Sequence, residues 1–386
     1  MWPGGKALVV SAALVAGFGA YCATHSVDFP VYHRAAAQIA RGDYEIYPTA
    51  VYGGGVAPAH GFRYAPAIAF LFLPFGWLPL GAAAFSFFVL KVAAVVYVGV
   101  VVGRYVEHST PIATLIAVSL LLAGGYAIEE FRYGNFHFFC IALMVLAFDA
   151  AESGRVVRPA VALAIAIAAK LTPVVLLAYF AWRRQFRLCA ATVLALLIVG
   201  ILPAFVVGYR MNNHLLEGFA RYALQKIDEG DNYALRGLLL GTGLPPAAVT
   251  WVWVLTVLAG ALVVVVALWP TPVTPQARFM EFCVLLIAML LASPHTQRRY
   301  FIALFVPILA LVALMRTSRP PNDRLIRAAL TVTAAVGTVL PIVFAGRRFA
   351  LAYQVYSPHF LGPLLMLVAL VLVAARMKSL DISHTF

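Results

Sequence analysis

Asp28 stands just past the first apolar run, in HSVDFPVYHRAA, where a membrane-embedded segment would meet water. A carboxylate held there can take the proton of a hydroxyl group at the membrane surface, which is the work of a general base. The same residue can equally do no more than cap the helix that follows. A second constellation is SPHTQRRY, residues 293–300, where His295, Gln297, Arg298 and Arg299 lie between two apolar runs. Guanidinium forks match phosphate oxygens, so the adjacent arginines read as an anion site or as a headgroup contact. Lys170, in AAKLTP, falls within apolar sequence, where a charge is expensive. Its ammonium either snorkels to a headgroup or points at a phosphate inside the bundle. Glu129, Glu130, Arg132 and Asn135 cluster in EEFRYGNFHFF; a carboxylate pair there can hold a cation, orient hydroxyls or simply face solvent. Asp231, Asn232 and Arg236, beside Tyr233, have the make-up of a sugar site or of a plain solvated loop.

The elements that carry these residues follow from composition. Of 386 residues 63% are hydrophobic and 11% charged, and the mean hydropathy is +0.92. A water-facing surface on a chain of this length needs roughly 25% charged residues. Apolar stretches recur along the whole chain, many near the length needed to cross a hydrocarbon core of ~30 Å at ~1.5 Å per residue. They do not alternate as barrel strands do (VAAVVYVGVVVG is one), so the expected fold is an all-α polytopic membrane bundle of about ten to twelve helices.

The expected spans are 7–24, 62–80, 82–103, 111–128, 134–151, 159–181, 188–208, 246–269, 279–292, 300–316, 325–345 and 360–376. Two carry warnings: 62–80 holds Pro66, Pro74 and Pro79 and can be kinked or re-entrant, and 159–181 is interrupted by Lys170 and Pro173. A re-entrant 62–80 would move the 129–135 loop to the outside, so its side stays open. Residues 1–24 have the form of a signal peptide but read as a retained first span in so membranous a chain. The basic loops WRRQFR and RTSRPPNDR and the tail after Arg376 fall on the side of Lys6, which makes that side, with both termini, cytoplasmic in the plasma membrane. Loops 25–61 and 209–245 then lie outside, each with a short interfacial helix, and residues 1–386 form one domain.

The net charge of +13 is ascribed to headgroups and cytoplasmic loops rather than to nucleic acid. The four cysteines, Cys22, Cys140, Cys189 and Cys283, have neither metal-ligand spacing nor a disulfide framework. No phosphate loop, HExxH, GxSxG or dinucleotide fingerprint is present, which argues against nucleotide-fuelled chemistry in this chain. No cofactor is called for, and the spacing neither requires nor forbids a divalent cation.

In order along the chain, the motifs DFPVYHRAA, YEIYP, FRYAPAIAFLFLPFGWLP, GNFHFF, AAKLTPVVLLAYFAWRRQ and SPHTQRRYFIALFVP resemble those of glycosyltransferase family 87, a GT-C branch of membrane glycosyltransferases. The resemblance covers roughly residues 20–310. It implies a sugar, commonly mannose or arabinofuranose, taken from a polyprenyl-phosphate donor and passed to a lipid-linked or cell-envelope glycan on the outer face. It implies Asp28 as the base, and Tyr32, His33 and Tyr64 join Glu129, Glu130, Asn135, Asn232, Arg236, His295 and Gln297 as expected sugar or acceptor contacts. Arg298, Arg299 and Lys170 are the expected phosphate contacts. Two departures stand out: Tyr64-Ala65-Pro66 replaces the family's Tyr-Pro-Pro, and Gln297, Arg299 and Tyr300 occupy a loop where many members carry a tryptophan and paired histidines. One base and one displacement imply inversion at the anomeric carbon. The rival from another class is a transporter or flippase of a lipid-linked saccharide; a purely structural subunit would explain neither Asp28 nor the arginine pair.

Overall fold

The structure, a computed structural model, describes residues 5–52, 61–106, 110–224, 232–269, 274–316, 322–340 and 358–383. Every regular element among the described residues is helical. Prolines set many of the starts: Pro79 precedes α6 (Leu80–Tyr105), Pro245 and Pro246 open α16 (Pro246–Ala267), and Pro275 opens α17 (Pro275–Ala292). A proline fits a first helical turn because the N–H it lacks has no partner there. Taken singly, α6, residues 186–207, α16 and α17 are long and apolar enough to cross a membrane.

Three expected spans come out differently: 62–80, 159–181 and 111–128, the last bent by 88° within its length. Residues 62–80 do not cross: their prolines divide them into α4 (Pro66–Leu71) and α5 (Leu73–Gly76). These turns lie against α2 (Phe29–Ala40), so closely that a Cβ on Gly76 would sit 2.8 Å from the Ala36 carbonyl carbon. Residues 159–181 are two antiparallel pieces rather than one span. α10 (Val157–Ala169) climbs to the end of the bundle that holds Asp28, where the Ala168 carbonyl accepts the Ala65 N–H. Proline at 173 offers no N–H to continue that helix, the backbone of Lys170 turns extended, and α11 (Val174–Trp182) runs back to the opposite end.

The remaining pieces follow in chain order. α1 (Gly5–His25) is followed by the short helices α2 and α3 (Thr49–Tyr52), and then by α6. α7 (Ile112–Leu122) and α8 (Gly124–Tyr133) meet at a bend of 88°, which swings the 129–135 loop to the Asp28 end. α9 (His137–Glu152), α10, α11, α12 (Phe186–Ile201) and α13 (Ala204–Val207) follow, and α14 (Tyr209–Leu224) and α15 (Leu235–Leu240) lie along the 209–245 loop. After α16 and α17, the 3-10 turn Arg298–Leu304 leads into α18 (Phe305–Leu314), and α19 (Asp323–Ala334) runs into a π turn. The last stretch of the expected 325–345 span lies outside the described residues, and α20 (Leu361–Ser383) closes the chain.

α17 and α18 form the buried centre; Phe279, Met280, Cys283, Phe305 and Ile308 are fully covered. α16 instead leaves Trp251, Leu255, Leu258, Leu262 and Val266 uncovered, as a lipid-facing helix does. At the end opposite Asp28, ion pairs tie the helices together. Arg183 meets Glu281, which also accepts the Tyr179 hydroxyl at 3.1 Å, and Arg278 pairs with Glu152 at 2.7 Å.

Candidate active site

Asp28 is gripped from three directions. Its N–H and that of Val27 donate to the Tyr133 carbonyl at 2.8 and 3.2 Å, so the end of α8 fixes the backbone. α8 can end there because Gly134 takes φ +65°, and a Cβ on it would lie 2.7 Å from the Phe29 Cβ. Asp28 occupies the N-cap position of α2, yet its side chain makes no capping bond. The carboxylate turns instead to Asn135, whose Nδ2 donates to Oδ2 at 2.7 Å, and to Arg299, whose Nε lies 3.3 Å from the same oxygen. Both contacts fall on Oδ2; among the described residues nothing holds Oδ1, and the side chain stays 14% exposed. A carboxylate held by one oxygen with the other open is suited to accept a proton.

The two arginines of SPHTQRRY diverge. Arg299 faces Asp28 and the Tyr133 ring, whose centroid is 4.5 Å from its guanidinium carbon. Arg298 points the other way, to Glu129 at 2.8 Å and the Gly337 carbonyl at 3.1 Å, so it joins α8 to the π turn instead of lining the site. Glu130 is fully buried against Lys91 of α6; the ammonium lies 2.9 Å from Oε1 and 2.8 Å from the Glu130 carbonyl. That Oε1 also accepts the Phe138 N–H at 3.0 Å. The expected carboxylate pair is thus two separate struts on either side of α8. Breaking one member of such a buried pair costs about 3–5 kcal/mol, since the other charge is left without compensation.

Lys170 comes to the site through the α10–α11 break. Its ammonium lies 3.1 Å from the centroid of the Tyr300 ring and 3.3 Å from Nδ1 of His137, with no carboxylate partner among the described residues. His295 lies in the same basic neighbourhood. Neither of its ring nitrogens has a hydrogen-bond partner among the described residues, although both are buried. Burial first, then the field of Lys170, Arg63, Arg299 and Arg236, holds its pKa down to about 4. A buried neutral imidazole ringed by cations is a position where an anionic or hydroxylated ligand would supply what the protein does not.

The other expected contacts divide similarly. Tyr32 and Tyr64 join hydroxyls at 2.9 Å, and the Tyr47 hydroxyl donates to the Tyr64 carbonyl at 2.6 Å, making an aromatic wall beside Asp28. His33 donates Nε2–H to the Leu78 carbonyl at 2.9 Å and serves to hold α2 on the segment after α5. Asn232 braces the His295 loop: Nδ2 donates to the Pro294 carbonyl at 2.9 Å and Oδ1 accepts the Thr296 N–H at 3.1 Å. Gln297 gives its carbonyl to the Tyr300 N–H at 2.9 Å, and Asp231 lies outside the described residues. Arg236 is half-buried on α15 within reach of His295. Reading the sequence missed Lys91, His137, Arg63 and Tyr300. A lysine inside the apolar run of α6 and a histidine two residues from Asn135 were the available signals. No group of three His, Cys, Asp or Glu residues suited to a metal is found among the described residues.

The fold has a counterpart among solved structures. The crystal structure of ArnT from Cupriavidus metallidurans bound to undecaprenyl phosphate matches 98% of this chain and 78% of that one, with a TM-score of 0.50 at 16% identity. The shared fold is that of the GT-C membrane glycosyltransferases. A polyprenol-phosphate-mannose-dependent alpha-(1-2)-phosphatidylinositol mannoside mannosyltransferase of Mycobacterium tuberculosis is 30% identical over 304 residues, 69% of this chain and 71% of that protein. Residues 62–294 match the profile of glycosyltransferase family 87. The chain is a multi-pass membrane protein and belongs to glycosyltransferase family 87.

Proposed function

We propose that the protein transfers one mannose from a polyprenyl-phosphate donor to a hydroxyl of a lipid-linked or cell-envelope glycan, at the Asp28 end of the bundle. The single observation that carries this reading is Asp28 itself, pinned through Oδ2 and, among the described residues, open at Oδ1, with the Lys170 ammonium joined to it through His137 and Asn135. The acceptor O–H gives its proton to Asp28 Oδ1 while its oxygen attacks the anomeric carbon. The bond from that carbon to the phosphate oxygen breaks, and the polyprenyl phosphate leaves with one more negative charge. Lys170 and Arg236 are the cations available to that growing charge, while Arg299 keeps Oδ2 oriented. The ring of His295 meets the sugar or the phosphate and gains the hydrogen bonds it lacks.

The engaged carboxylates favour inversion. A double displacement needs a second one as nucleophile, but Glu129 and Glu130, those closest in sequence to Asn135, are engaged by Arg298 and Lys91. A β-linked donor then yields an α-linked product. Mannose and a polyprenyl-phosphate donor are favoured because the Mycobacterium tuberculosis relative is named for both. The opposite end, with Arg155, Arg158, Arg184 and Arg187, suits the cytoplasmic face, which puts the site outside. A flippase would have to open that end, where Arg183–Glu281 and Arg278–Glu152 hold the helices together.

The test offers purified protein mannosyl and arabinofuranosyl polyprenyl phosphates on the same lipid, with a membrane-lipid extract as acceptor. Mannosyl transfer at least about tenfold faster, with an α-linkage in the product by NMR, is the expected result. Preference for the pentose, a β-linked product or no transfer from either donor would overturn it.

A further inference from the structure

His137 is 5% exposed, and both of its ring nitrogens are occupied, so it is not free to touch a substrate. Nε2 lies 3.1 Å from the Tyr300 carbonyl, which can only accept; the proton therefore sits on Nε2. Nδ1 is then a lone pair, and it accepts from the Lys170 ammonium at 3.3 Å. A second proton on the ring would set two cations against each other, so the imidazole is neutral. The histidine is also tied to the base. Asn135 donates to Asp28 through Nδ2 and, through Oδ1, accepts the backbone N–H of His137 at 2.8 Å. Tyr300, whose carbonyl and ring hold His137 and Lys170, follows Arg299, the ion-pair partner of Asp28. The contacts thus close a circuit: Asp28, Asn135, His137, Lys170, Tyr300, Arg299 and back to Asp28.

We infer that His137 is a positioning residue that aims the Lys170 ammonium at the donor phosphate and indexes it to Asp28 through Asn135. The inference rests on the reading of Lys170 as a phosphate ligand. Lysine carries four side-chain torsions, and the extended backbone at Lys170 does not restrain them. The flat face of Tyr300 attracts the ammonium without fixing its direction, whereas the imidazole lone pair fixes it to a point. Lysine held this way has two further N–H bonds for a ligand.

The test measures, in lipid nanodiscs, the affinity of a short-chain polyprenyl phosphate by calorimetry, alongside kcat and KM for donor and acceptor. The variants are His137→Leu, His137→Gln, Lys170→Met and the double variant His137→Leu/Lys170→Met. Loss of one hydrogen bond to a charged group corresponds to at least about tenfold in affinity. Binding by His137→Leu should weaken about tenfold and its donor KM rise in step, with acceptor KM unchanged. Glutamine, whose amide both accepts and donates, should restore binding to within about twofold of wild type. In the Lys170→Met background, His137→Leu should cause no further loss, because its effect runs through the ammonium. If His137→Leu does not accumulate, His137→Asn, whose amide is too short to reach both partners, takes its place. Wild-type affinity in His137→Leu, glutamine no better than leucine, or additive losses in the double variant would each overturn the inference. A wild type that binds the phosphate and shows the non-additive pattern, yet transfers no sugar, would sustain the inference and sink the proposed function.

Discussion

At the scale of single residues, the site depends on which atoms are engaged and which are left open. Asp28 uses one oxygen for Asn135 and Arg299 and leaves the other unheld among the described residues. This removes the capping reading, since the side chain caps nothing. His295 is the counterpart among bases, an imidazole whose nitrogens are buried and, among the described residues, unpaired. Its pKa of about 4 means that between about 6.5 and 4 the unfolded chain takes up a proton that the folded protein refuses. Stability therefore falls as pH drops through that window. Thermal melts of wild type and His295→Gln should converge near pH 7.5, and wild type should lose more of its Tm than the variant between pH 6.5 and 4.5. Parallel curves would show that the ring is not held neutral. Asp28, Arg299, Lys170, Asn135 and His295 were all legible as polar groups in apolar surroundings. The split roles of Arg298 and Arg299 were not, because adjacent residues on a 3-10 turn point in different directions and only packing decides which one meets Asp28.

At the scale of elements, short breaks in helices do the positioning. The left-handed turn at Gly134 sets Tyr133 against Val27 and Asp28, and the break before Pro173 delivers Lys170. Gly134→Ala should cost about 1–3 kcal/mol and lower kcat as well, because the added Cβ pushes on Phe29, the neighbour of Asp28. Gly42→Ala is the control: Gly42 also has a positive φ, of +79°, but a Cβ there meets nothing within 4 Å. It should lower the melting temperature while transfer per folded molecule stays at the wild-type level. Equal loss of kcat in both variants would remove the role given to Gly134. The sequence announced these breaks through Pro66, Pro74, Pro79 and Pro173. It did not say whether a proline kinks a crossing or ends it. Hydropathy counts apolar residues regardless of direction, so the reversal between α10 and α11 and the 88° bend between α7 and α8 had no signature.

At the scale of the whole molecule, the two ends of the bundle do different work. Open polar groups gather at the Asp28 end, while at the other end Glu281 is fully buried with Arg183 and Tyr179. Glu281→Ala leaves the Arg183 guanidinium without its carboxylate and should lower stability by about 3–5 kcal/mol in denaturant titrations. Transfer per folded molecule should be unaffected, since no step of the reaction uses that end. A variant that stays folded yet loses transfer would mean that the far end moves during turnover, as in a carrier. The polytopic helical class was legible from composition alone, because lipid leaves the backbone few choices.

The most direct measurement compares wild type with Asp28→Asn in purified form, following release of polyprenyl phosphate, formation of glycosylated lipid and donor affinity together. Asparagine keeps the size of the side chain but cannot take the proton. Transfer should fall by about 10²–10⁴-fold with donor affinity within about twofold of wild type. Transfer by Asp28→Asn at more than about a tenth of the wild-type rate would contradict the assignment of Asp28 as the base.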